Sequence, residues 1–460
     1  MYTWLARHLM ALALDIIRGT QTMKFLSELE ESQWWPREKI MELQSQRLRK
    51  LLKNAYDTVP YYRRLFDRMT IKPDDIQNIN DLQRLPVLTK KLIRDNFDAI
   101  TAGDFPKKER VSLYTGGSTG ETLVFYGTRY DHISLSFAAR QRAYSGVGFE
   151  LGDKYAHLSI KYPADSIVKR FAQSSIDFFR RRLHLDVTMM RSNNLPLYAQ
   201  RIKRFQPAFI RGYPSAIYLL AQYLQREGWS KINPRLIVTG GEQLYHYQRN
   251  LFREVFGCDT FDFYGAREEH LIAFECSQHT GYHIAAENVI VEIVDSQGKP
   301  VPDGKEGRIL ITNLHNFAMP FIRYDIGDYG ISSNAVCSCG RGLPLLAEIK
   351  GRTTDVILTR TKEAIHYMNT RWDFLLKYQV EQFQIVQETY EKVVVKLVIG
   401  EEYWRKYSSE LTSEIVSKFK LDFGEYMEIA IEVVKEIPPT PSWKSRIIIS
   451  KVSAGFNNNQ

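Results

Sequence analysis

The fold is decided by residues 209–256, which read FIRGYPSAIYLLAQYLQREGWSKINPRLIVTGGEQLYHYQRNLFREVF. A short β-rich run at 209–214 leads into a helical stretch at 215–227, and a further helical stretch follows at 245–256. Another β-rich run stands earlier in the chain at 111–115. Strands that alternate with helices in this way are typical of a layered α/β domain with a mainly parallel sheet. We therefore predict a large α/β domain of several layers.

The segments on either side of this pattern differ from it. Over residues 38–68, Ile40 and several leucines recur near helical spacing, which predicts a helical N-terminal region over about residues 1–85. Residues 287–332 contain β-rich runs separated by Gly and Pro, which predict a small antiparallel β-meander at the end of the large domain.

The C-terminal part has its own alternation of strands with a helix around 403–420, which predicts a small α+β domain. A chain of 460 residues is long enough for two or three domains of roughly 150 residues each. We expect a large N-terminal domain over 1–351 and a small C-terminal domain over 352–460.

The composition is that of an ordinary globular protein. Hydrophobic residues make up 44% and charged residues 25%, which excludes a disordered chain. Lys and Arg number 62 against 53 Asp and Glu, and the resulting net charge of +9 is too thin over this length to indicate nucleic-acid binding. Four cysteines are too few for a disulfide scaffold, and they predict a reducing, cytoplasmic compartment.

The N-terminal residues 1–19, MYTWLARHLMALALDIIRG, are largely apolar. Arg7, His8 and Asp15 interrupt this run, which falls far short of the roughly 20 apolar residues that a membrane span needs. We expect neither a transmembrane helix nor a signal peptide. The segment is either a helix that docks on the protein or an interfacial helix that contacts a membrane surface peripherally.

Residues 170–185 mix arginines with aromatic side chains in the run RFAQSSIDFFRRRLHL. A nucleic-acid patch is one interpretation, but a solvated helix face is the simpler one, and we expect no nucleic-acid partner. His157, His184 and His246 have no spacing that identifies a catalytic pair or a metal site, so we interpret them as ordinary histidines.

The most informative stretch is YTGGSTGETLVFYGT, residues 114–128. Its glycines let backbone N–H groups turn toward an anion, and its hydroxyls add donors, so the loop is suited to a phosphate. No Lys follows Gly120, so this is not a Walker A loop. A solvated Gly-rich turn stays the alternative for this stretch taken alone.

Five later segments complete an ordered set. They are IVTGGEQLY (237–245), TFDFYGAREEH (260–270), PFIRYDIGDYG (320–330), IKGRTTDVI (349–357) and IPPTPSWKSRI (437–447). In this order and spacing, the sequence resembles the acyl-adenylate-forming enzymes, specifically the phenylacetate-coenzyme A ligase branch and its CapK-like relatives in capsular polysaccharide biosynthesis. The resemblance runs from about residue 40 to residue 450.

The resemblance implies a ligase that uses ATP and Mg²⁺. A carboxylic acid attacks the α-phosphate of ATP, pyrophosphate leaves, and a thiol such as that of coenzyme A, or an amine, captures the acyl group from acyl-AMP. The resemblance also implies a mobile C-terminal domain. Fixed donors stabilise the charge that spreads over the phosphoryl oxygens. The residues implied to hold the β and γ phosphates are Thr115, Gly116, Gly117, Ser118, Thr119 and Gly120.

The resemblance further assigns the nucleotide pocket. Tyr264, which Gly265 follows, would stack on adenine, and Glu268 at the acidic end of the Tyr-Gly-x-x-Glu motif would ligate Mg²⁺. Gly241 and Glu242 match the family loop that lines the nucleotide and acyl pocket.

The last two segments supply ribose and phosphate contacts. Asp328 matches the family carboxylate that accepts hydrogen bonds from both ribose hydroxyls, and Arg352 would lie near the ribose and phosphate. Lys444 matches the catalytic lysine of the C-terminal domain, whose ammonium group reaches the α-phosphate and the substrate carboxylate.

A second constellation consists of Cys276 and His283, followed by Cys337 and Cys339. Three sulfurs and an imidazole suit a closed tetrahedral zinc site, and some members of the resembled branch carry such a site. Unpaired cytosolic thiols are the alternative, and His279 is the competing nitrogen. We interpret Cys258 as a buried thiol without a chemical role.

A second hypothesis assigns the chain a function that is not enzymatic. Glu121 stands in the glycine-rich loop where the resembled enzymes have a basic residue, and the N-terminus is amphipathic. A non-catalytic, basic membrane-surface scaffold that retains the adenylating fold has the same features. We expect nucleotide binding to separate the two hypotheses.

Overall fold

The structure is a computed structural model of the chain. It describes residues 11–115, 123–161, 174–190, 194–228, 232–352, 357–360, 364–365, 373–438 and 446–452.

The α-helices are α1 (Ala11–Arg18), α2 (Thr22–Ser32), α3 (Arg37–Thr58), α4 (Pro60–Met69), α5 (Lys90–Asp95), α6 (Ser136–Ser145), α7 (Leu195–Phe205), α8 (Pro214–Arg226), α9 (His246–Phe256) and α10 (Glu401–Phe423). Short 3-10 helices span Pro73–Asp75, Ile79–Arg84, Lys107–Glu109, Val187–Met189 and Asp373–Tyr378, and a π-helical turn spans Tyr130–Leu135.

The strands are β1 (Arg110–Tyr114), β2 (Val124–Thr128), β3 (Tyr155–Ser159), β4 (Arg182–Asp186), β5 (Phe209–Gly212), β6 (Leu236–Gly240), β7 (Asp259–Tyr264), β8 (Ala273–Glu275), β9 (Tyr282–Ile284), β10 (Val289–Val294), β11 (Glu306–Asn313), β12 (Tyr324–Ser333), β13 (Leu345–Arg352), β14 (Ile357–Leu358), β15 (Ala364–Ile365), β16 (Val380–Thr389), β17 (Lys392–Ile399), β18 (Glu428–Val433) and β19 (Ile448–Ser450).

Proline divides the long helical run near the N-terminus into α3 and α4. Helix α3 buries Ile40, Leu48 and Leu51 on one face. It ends at Thr58, and the next residue, Val59, adopts an extended conformation (φ −113°, ψ 109°) because a residue before proline disfavours the helical region. Pro60 then begins α4, where its missing N–H costs nothing and its fixed φ suits the first turn.

Among the described residues, the largest sheet has 11 strands in the order β10-β11-β12-β13-β9-β8-β7-β6-β5-β3-β4. Strands β3 to β7 pair with one another in parallel, and β8 to β13 pair antiparallel. The α/β class predicted from the sequence is therefore confirmed. The antiparallel meander continues the parallel half of this same sheet.

Two apolar cores hold the parallel half in place. On one face, α7, α8 and α9 pack on strand residues such as Leu158, Ile210 and Ile237, all of them fully buried. The residues that cover the opposite face come from α6 and the N-terminal helices, and Tyr144 of α6 packs there against Phe263. Burial on both faces explains the apolar run at the start of β6, which reads LIVTG.

The C-terminal part forms a smaller α+β unit with its own core. Its four-stranded sheet has the order β18-β17-β16-β19, and α10 contributes Leu411, Ile415 and Phe419 to the core beneath it. Strand β13 ends at Arg352, so the predicted division between residues 351 and 352 falls within a strand. That division stays a prediction.

Contacts join the two units along α8. The Gln222 side chain donates to the carbonyl of Val380 at 3.0 Å, and Arg226 lies 3.6 Å from the Glu381 carboxylate. Within the described residues, no helix is both long enough and apolar enough to cross a membrane.

Candidate functional site

The predicted site residues that the structure describes gather at the carboxyl ends of β6 and β7, the edge at which open α/β sheets bind ligands. Gly241 follows β6 with φ +83°, and a Cβ at this position would come within 2.9 Å of the Tyr213 ring. Glycine is therefore required here. The next residue, Glu242, accepts a hydrogen bond from the backbone N–H of Ser215 at 3.1 Å, which ties this loop to the start of α8.

Tyr264 and Asp328 meet although 64 residues separate them in the sequence. Tyr264 ends β7, and its hydroxyl donates to Asp328 Oδ2 at 2.7 Å. Asp328 lies in β12 with 8% of its surface exposed, and its cross-strand partner in β13 is Arg352. The hydrogen bond therefore joins the predicted ribose ligand to the predicted adenine ligand, and the ladder places the backbone of Arg352 opposite Asp328.

The Tyr-Gly-x-x-Glu motif turns sharply after β7. A Cβ on Gly265 would lie 2.2 Å from the carbonyl oxygen of His270, so a larger residue does not fit. Glu268 is half-buried, and its carboxylate accepts a hydrogen bond from the hydroxyl of the fully buried Tyr324 at 2.8 Å. Sequence reasoning missed Tyr324, although the residue stands in the quoted motif PFIRYDIGDYG.

The glycine-rich loop is described only at its two ends. Thr115 and Leu123 close the β1–β2 hairpin, since the Thr115 N–H donates to the Leu123 carbonyl at 2.8 Å and Thr115 Oγ1 accepts from the Leu123 N–H at 3.0 Å. The guanidinium of Arg267 lies 5.8 Å from the Tyr114 ring centroid, so the hairpin approaches the Tyr-Gly-x-x-Glu turn. The described residues do not include Gly116, Gly117, Ser118, Thr119, Gly120 or Lys444.

A buried polar network supports β7 beneath Tyr264. Burial raises the pKa of Asp262 to about 6, with a further contribution from the nearby Glu275 carboxylate. Asp262 accepts hydrogen bonds from Thr239 Oγ1 at 2.7 Å and from the Tyr282 hydroxyl at 3.1 Å. Arg249 in turn donates to both carboxylate oxygens of Glu275 at 2.9 Å. These bonds satisfy the buried acids and fix the strand that carries Tyr264.

The four predicted zinc ligands converge on one point. The ligand atoms of Cys276, His283, Cys337 and Cys339 all lie within 4.8 Å of one another. The sulfurs of Cys276 and Cys337 are 3.6 Å apart, and Cys339 Sγ lies 3.3 Å from His283 Nε2. Tetrahedral zinc with bonds of about 2.3 Å to sulfur and about 2.0 Å to nitrogen sets S–S and S–N separations of roughly 3.8 and 3.5 Å.

This cluster joins the turn after β8 to the loop between β12 and β13. Burial lowers the pKa of His283 to about 4, so the imidazole is neutral and able to ligate a metal. His279 stacks on Phe261 at 5.0 Å and lies outside the group of four in the part of the chain that the structure describes. Cys258 is half-buried, and burial raises the pKa of its thiol to about 12.

Two family models match the chain. The model of the AMP-binding enzymes matches residues 185–319, which contain Gly241, Tyr264 and Glu268. The model of the CapK C-terminal domain matches residues 357–451, which contain Lys444.

Named relatives resemble the chain over most of its length. The phenylacetate-coenzyme A ligase of Thermus thermophilus is 28% identical over 418 residues, which cover 86% of this chain and 88% of the relative. That of Escherichia coli is 30% identical over 331 residues, covering 70% and 73%. The solved structure of a 2-hydroxyisobutyryl-CoA ligase in the postadenylation state, in complex with R3-HIB-AMP, matches with a TM-score of 0.73 at 18% identity over 91% of both chains. This last likeness concerns the fold.

Proposed function

Because the chain belongs to the phenylacetate-coenzyme A ligase family, we propose that it uses ATP to activate a carboxylic acid as an acyl-adenylate and then passes the acyl group to the thiol of coenzyme A. The contact that carries this proposal is the hydrogen bond from Tyr264 to Asp328. It joins an aromatic ring and a bidentate acceptor at the strand ends, where an adenosine has to be held by its base and by its ribose hydroxyls.

The proposed reaction has two steps. In the first, a carboxylate oxygen of the acid attacks the α-phosphorus of ATP, and pyrophosphate leaves with the electrons of the broken P–O bond. In the second, a thiolate attacks the carbonyl carbon of the acyl-adenylate, and AMP leaves with the oxygen that bridged the two groups. Both steps demand that charge on phosphoryl and carboxyl oxygens be stabilised in place.

Each predicted residue has a role in this scheme. Asp328 accepts from the ribose hydroxyls, and Tyr264, held by its hydroxyl, presents its ring to the adenine. Glu268 offers an oxygen ligand of the kind that Mg²⁺ takes, and Tyr324 orients that carboxylate. When bound, Mg²⁺ neutralises charge on the phosphates. Gly241 and Glu242 line the pocket between the base and the acyl group.

The phosphate contacts rest on the family resemblance. We assign the β and γ phosphates to the loop from Thr115 to Gly120, whose entry Arg267 reaches through Tyr114. Arg352 is assigned to the ribose and phosphate. Lys444 is assigned to the α-phosphate and the acid, since an ammonium group on a flexible stem supplies a compact charge to both.

Acid-dependent pyrophosphate release tests this function. The full chain, with Mg²⁺, ATP and coenzyme A, is to be assayed across aromatic, aliphatic, amino and uronic acids, with a reaction lacking acid as the control. We expect pyrophosphate and AMP to appear in equal amounts with at least one acid. Failure to release pyrophosphate with every class, together with no ATP binding by calorimetry, would favour the scaffold hypothesis, which none of the named relatives supports.

Replacing Asp328 with alanine is expected to raise the KM for ATP by roughly tenfold to a hundredfold, because hydrogen bonds from both ribose hydroxyls to a charged group are lost. Tyr264→Phe removes only the hydroxyl that holds Asp328 in place, so its effect should be smaller. Asp325→Ala is the matched control, since Asp325 stands three residues away and pairs with Arg308 at 2.7 Å. Equal KM values for ATP in the Asp328 and Asp325 variants would show that Asp328 does not bind the ribose.

We also propose that the four-ligand cluster binds structural zinc, which would tie the turn after Tyr-Gly-x-x-Glu to the loop before β13. Purified protein should contain about one zinc per chain, measured by elemental analysis. Cys276→Ser should lose the metal and lower Tm by several degrees, whereas Cys258→Ser should keep the metal. A metal content near zero in protein prepared with added zinc would show that the thiols are simply unpaired.

An amine on a precursor of a surface polysaccharide is the second candidate acceptor. The match of residues 357–451 to the CapK C-terminal domain favours it, because that unit carries Lys444 and would face the acceptor. Mass analysis of the product separates the candidates. A thioester formed with coenzyme A supports the first, and an amide formed with an amino sugar in preference to coenzyme A supports the second.

A further inference from the structure

A cluster of cationic and imidazole groups lies on the neighbouring strands β3, β4 and β5. The parallel registers place His157 beside His184 on one side and beside Arg211 on the other. The two imidazoles stack with ring centroids 5.3 Å apart, and the Ser159 hydroxyl lies 3.0 Å from His184 Nε2. Three adjacent strands therefore present polar groups on the face that α6 covers.

Arginines from α6 and from the segment before β4 add to this cluster. Arg140 lies on α6, and burial together with the adjacent Arg211 guanidinium lowers its pKa to about 10. The guanidinium of Arg180 lies 5.1 Å from the ring of Phe137 on the same helix. Burial and Arg211 also lower the pKa of His157 well below its ordinary value. The region thus carries a concentrated positive potential.

Among the described residues, two of these arginines, Arg140 and Arg211, make no ion pair, and the Arg211 guanidinium faces the ring of Tyr144 instead. Asp177 forms an ion pair with Arg182, and the Asp186 carboxylate accepts hydrogen bonds from the backbone N–H and the hydroxyl of Thr188. Burying a guanidinium group without an anionic partner costs free energy, so we expect Arg140 and Arg211 to bind an anion.

An independent observation points the same way. The Nδ1 atom of His184 is buried and has no hydrogen-bond partner among the residues that the structure describes. Buried polar atoms are nearly always satisfied, so an unsatisfied one on the strand next to His157 marks a place where a ligand atom completes the bonding.

The cluster adjoins the nucleotide site through Tyr144. The Arg211 guanidinium lies 5.3 Å from the Tyr144 ring centroid, and that ring stacks on Phe263 at 5.2 Å. Phe263 directly precedes Tyr264. Arg211 is also followed two residues later by Tyr213, whose ring lies against Gly241. Through Tyr213, Arg211 adjoins the Gly241 loop, which is assigned to the acyl pocket, so the far end of an acid activated there can extend toward the arginines.

We propose that the acid activated by this chain carries a second anionic group, a carboxylate or a phosphate, at the end remote from the activated carboxylate, and that Arg140, Arg211 and His184 bind that group. This inference rests on the proposed function and names the substrate class for the same site. Guanidinium groups hold carboxylates and phosphates through paired, charge-assisted hydrogen bonds, so a neutral terminus of equal size leaves them unpaired.

Matched acids test the proposal. Dicarboxylic and phosphorylated acids of increasing length are to be compared, each with its neutral amide or dephosphorylated counterpart, by kcat/KM for pyrophosphate release. We expect a preference of about tenfold or more for the anionic member of the best pair. Arg211→Gln and Arg140→Gln should each reduce that preference by about tenfold, mainly through the KM of the anionic acid. Arg201→Gln, at an exposed position on α7, is the matched control and should leave the preference unchanged.

The outcomes separate this inference from the function on which it rests. Turnover of neutral acids without any preference, unaltered in both variants, overturns the inference and leaves the ligase function intact. A changed KM for coenzyme A with unchanged acid preference assigns the cluster to the acceptor and also overturns it. If no acid supports pyrophosphate release, calorimetry with the dianionic acids alone decides. Binding that Arg211→Gln weakens by about tenfold supports the anion site, and equal or absent binding overturns it.

Discussion

Replacing Lys444 with alanine is expected to slow acid-dependent pyrophosphate release by a hundredfold to a thousandfold or more, which is about the loss produced by removing a preorganised electrostatic group from a charge-developing transition state. In the proposed mechanism, the ammonium group draws the substrate carboxylate and the α-phosphate together. Without it, two anions must approach each other unassisted. Stopped or continuous pyrophosphate assays under saturating ATP and acid measure this loss.

Two controls define the role of Lys444. Lys435→Ala alters an exposed lysine of the same unit and should leave the rate within about twofold, as expected for surface substitutions. Thioester formation from a supplied acyl-adenylate should persist in Lys444→Ala, because that half-reaction does not involve ATP. Unchanged pyrophosphate release by Lys444→Ala would refute the assignment.

Replacing Arg142 with methionine is expected to lower the free energy of unfolding by about 3 to 5 kcal/mol, because it leaves a buried charge without its partner. Arg142 has no exposed surface, and it lies 3.0 Å from Glu287, whose side chain is 1% exposed. The Ser32 hydroxyl donates to the same carboxylate at 2.8 Å. The pair therefore connects α6, the N-terminal helices and the segment before β10, and denaturant titration measures its loss.

The double variant Arg142→Met/Glu287→Leu should recover much of that stability, because removing both charges removes the uncompensated one. Lys91→Met breaks an exposed pair with Asp95 and should cost less than about 1 kcal/mol. If the Arg142 variant lost no more stability than the Lys91 variant, the buried ion pair would not stabilise the contact between α6, the N-terminal helices and the segment before β10.

Local pattern and turn chemistry were sufficient to predict much of the α/β body. The strand predicted at 209–214 spans Phe209–Gly212, and the helix predicted at 215–227 begins one residue earlier because Pro214 suits a first helical turn. The long helical run at 38–68 contains a break at Val59, and its cause, Pro60, is visible in the sequence.

Contacts between distant residues could not be predicted in the same way. The histidines at 157 and 184 have no revealing spacing in the sequence, yet parallel pairing of β3 with β4 stacks them, since neighbouring strands lie about 4.8 Å apart. Tyr324 holds Glu268 across 56 residues, and Arg142 meets Glu287 across 145. Such partners depend on the register of the sheet, which no local pattern contains.

Motif order, by contrast, identified residues that the fold does bring together. Tyr264 and Asp328 were named from two separate motifs, and the structure places them in a hydrogen bond. The four zinc candidates were named from residue type, and their ligand atoms lie within 4.8 Å of one another. Nucleotide binding by the first pair and zinc binding by the cluster are still predictions.

Isotope transfer tests the central claim, acyl-adenylate formation, most directly. The preferred acid is prepared with both carboxylate oxygens replaced by ¹⁸O, and the products with ATP and coenzyme A are examined by mass spectrometry. The account predicts that AMP acquires a single ¹⁸O atom, because the oxygen that attacks the α-phosphorus leaves with AMP when the thiol captures the acyl group. Unlabelled AMP, or label found in inorganic phosphate together with ADP, would contradict it.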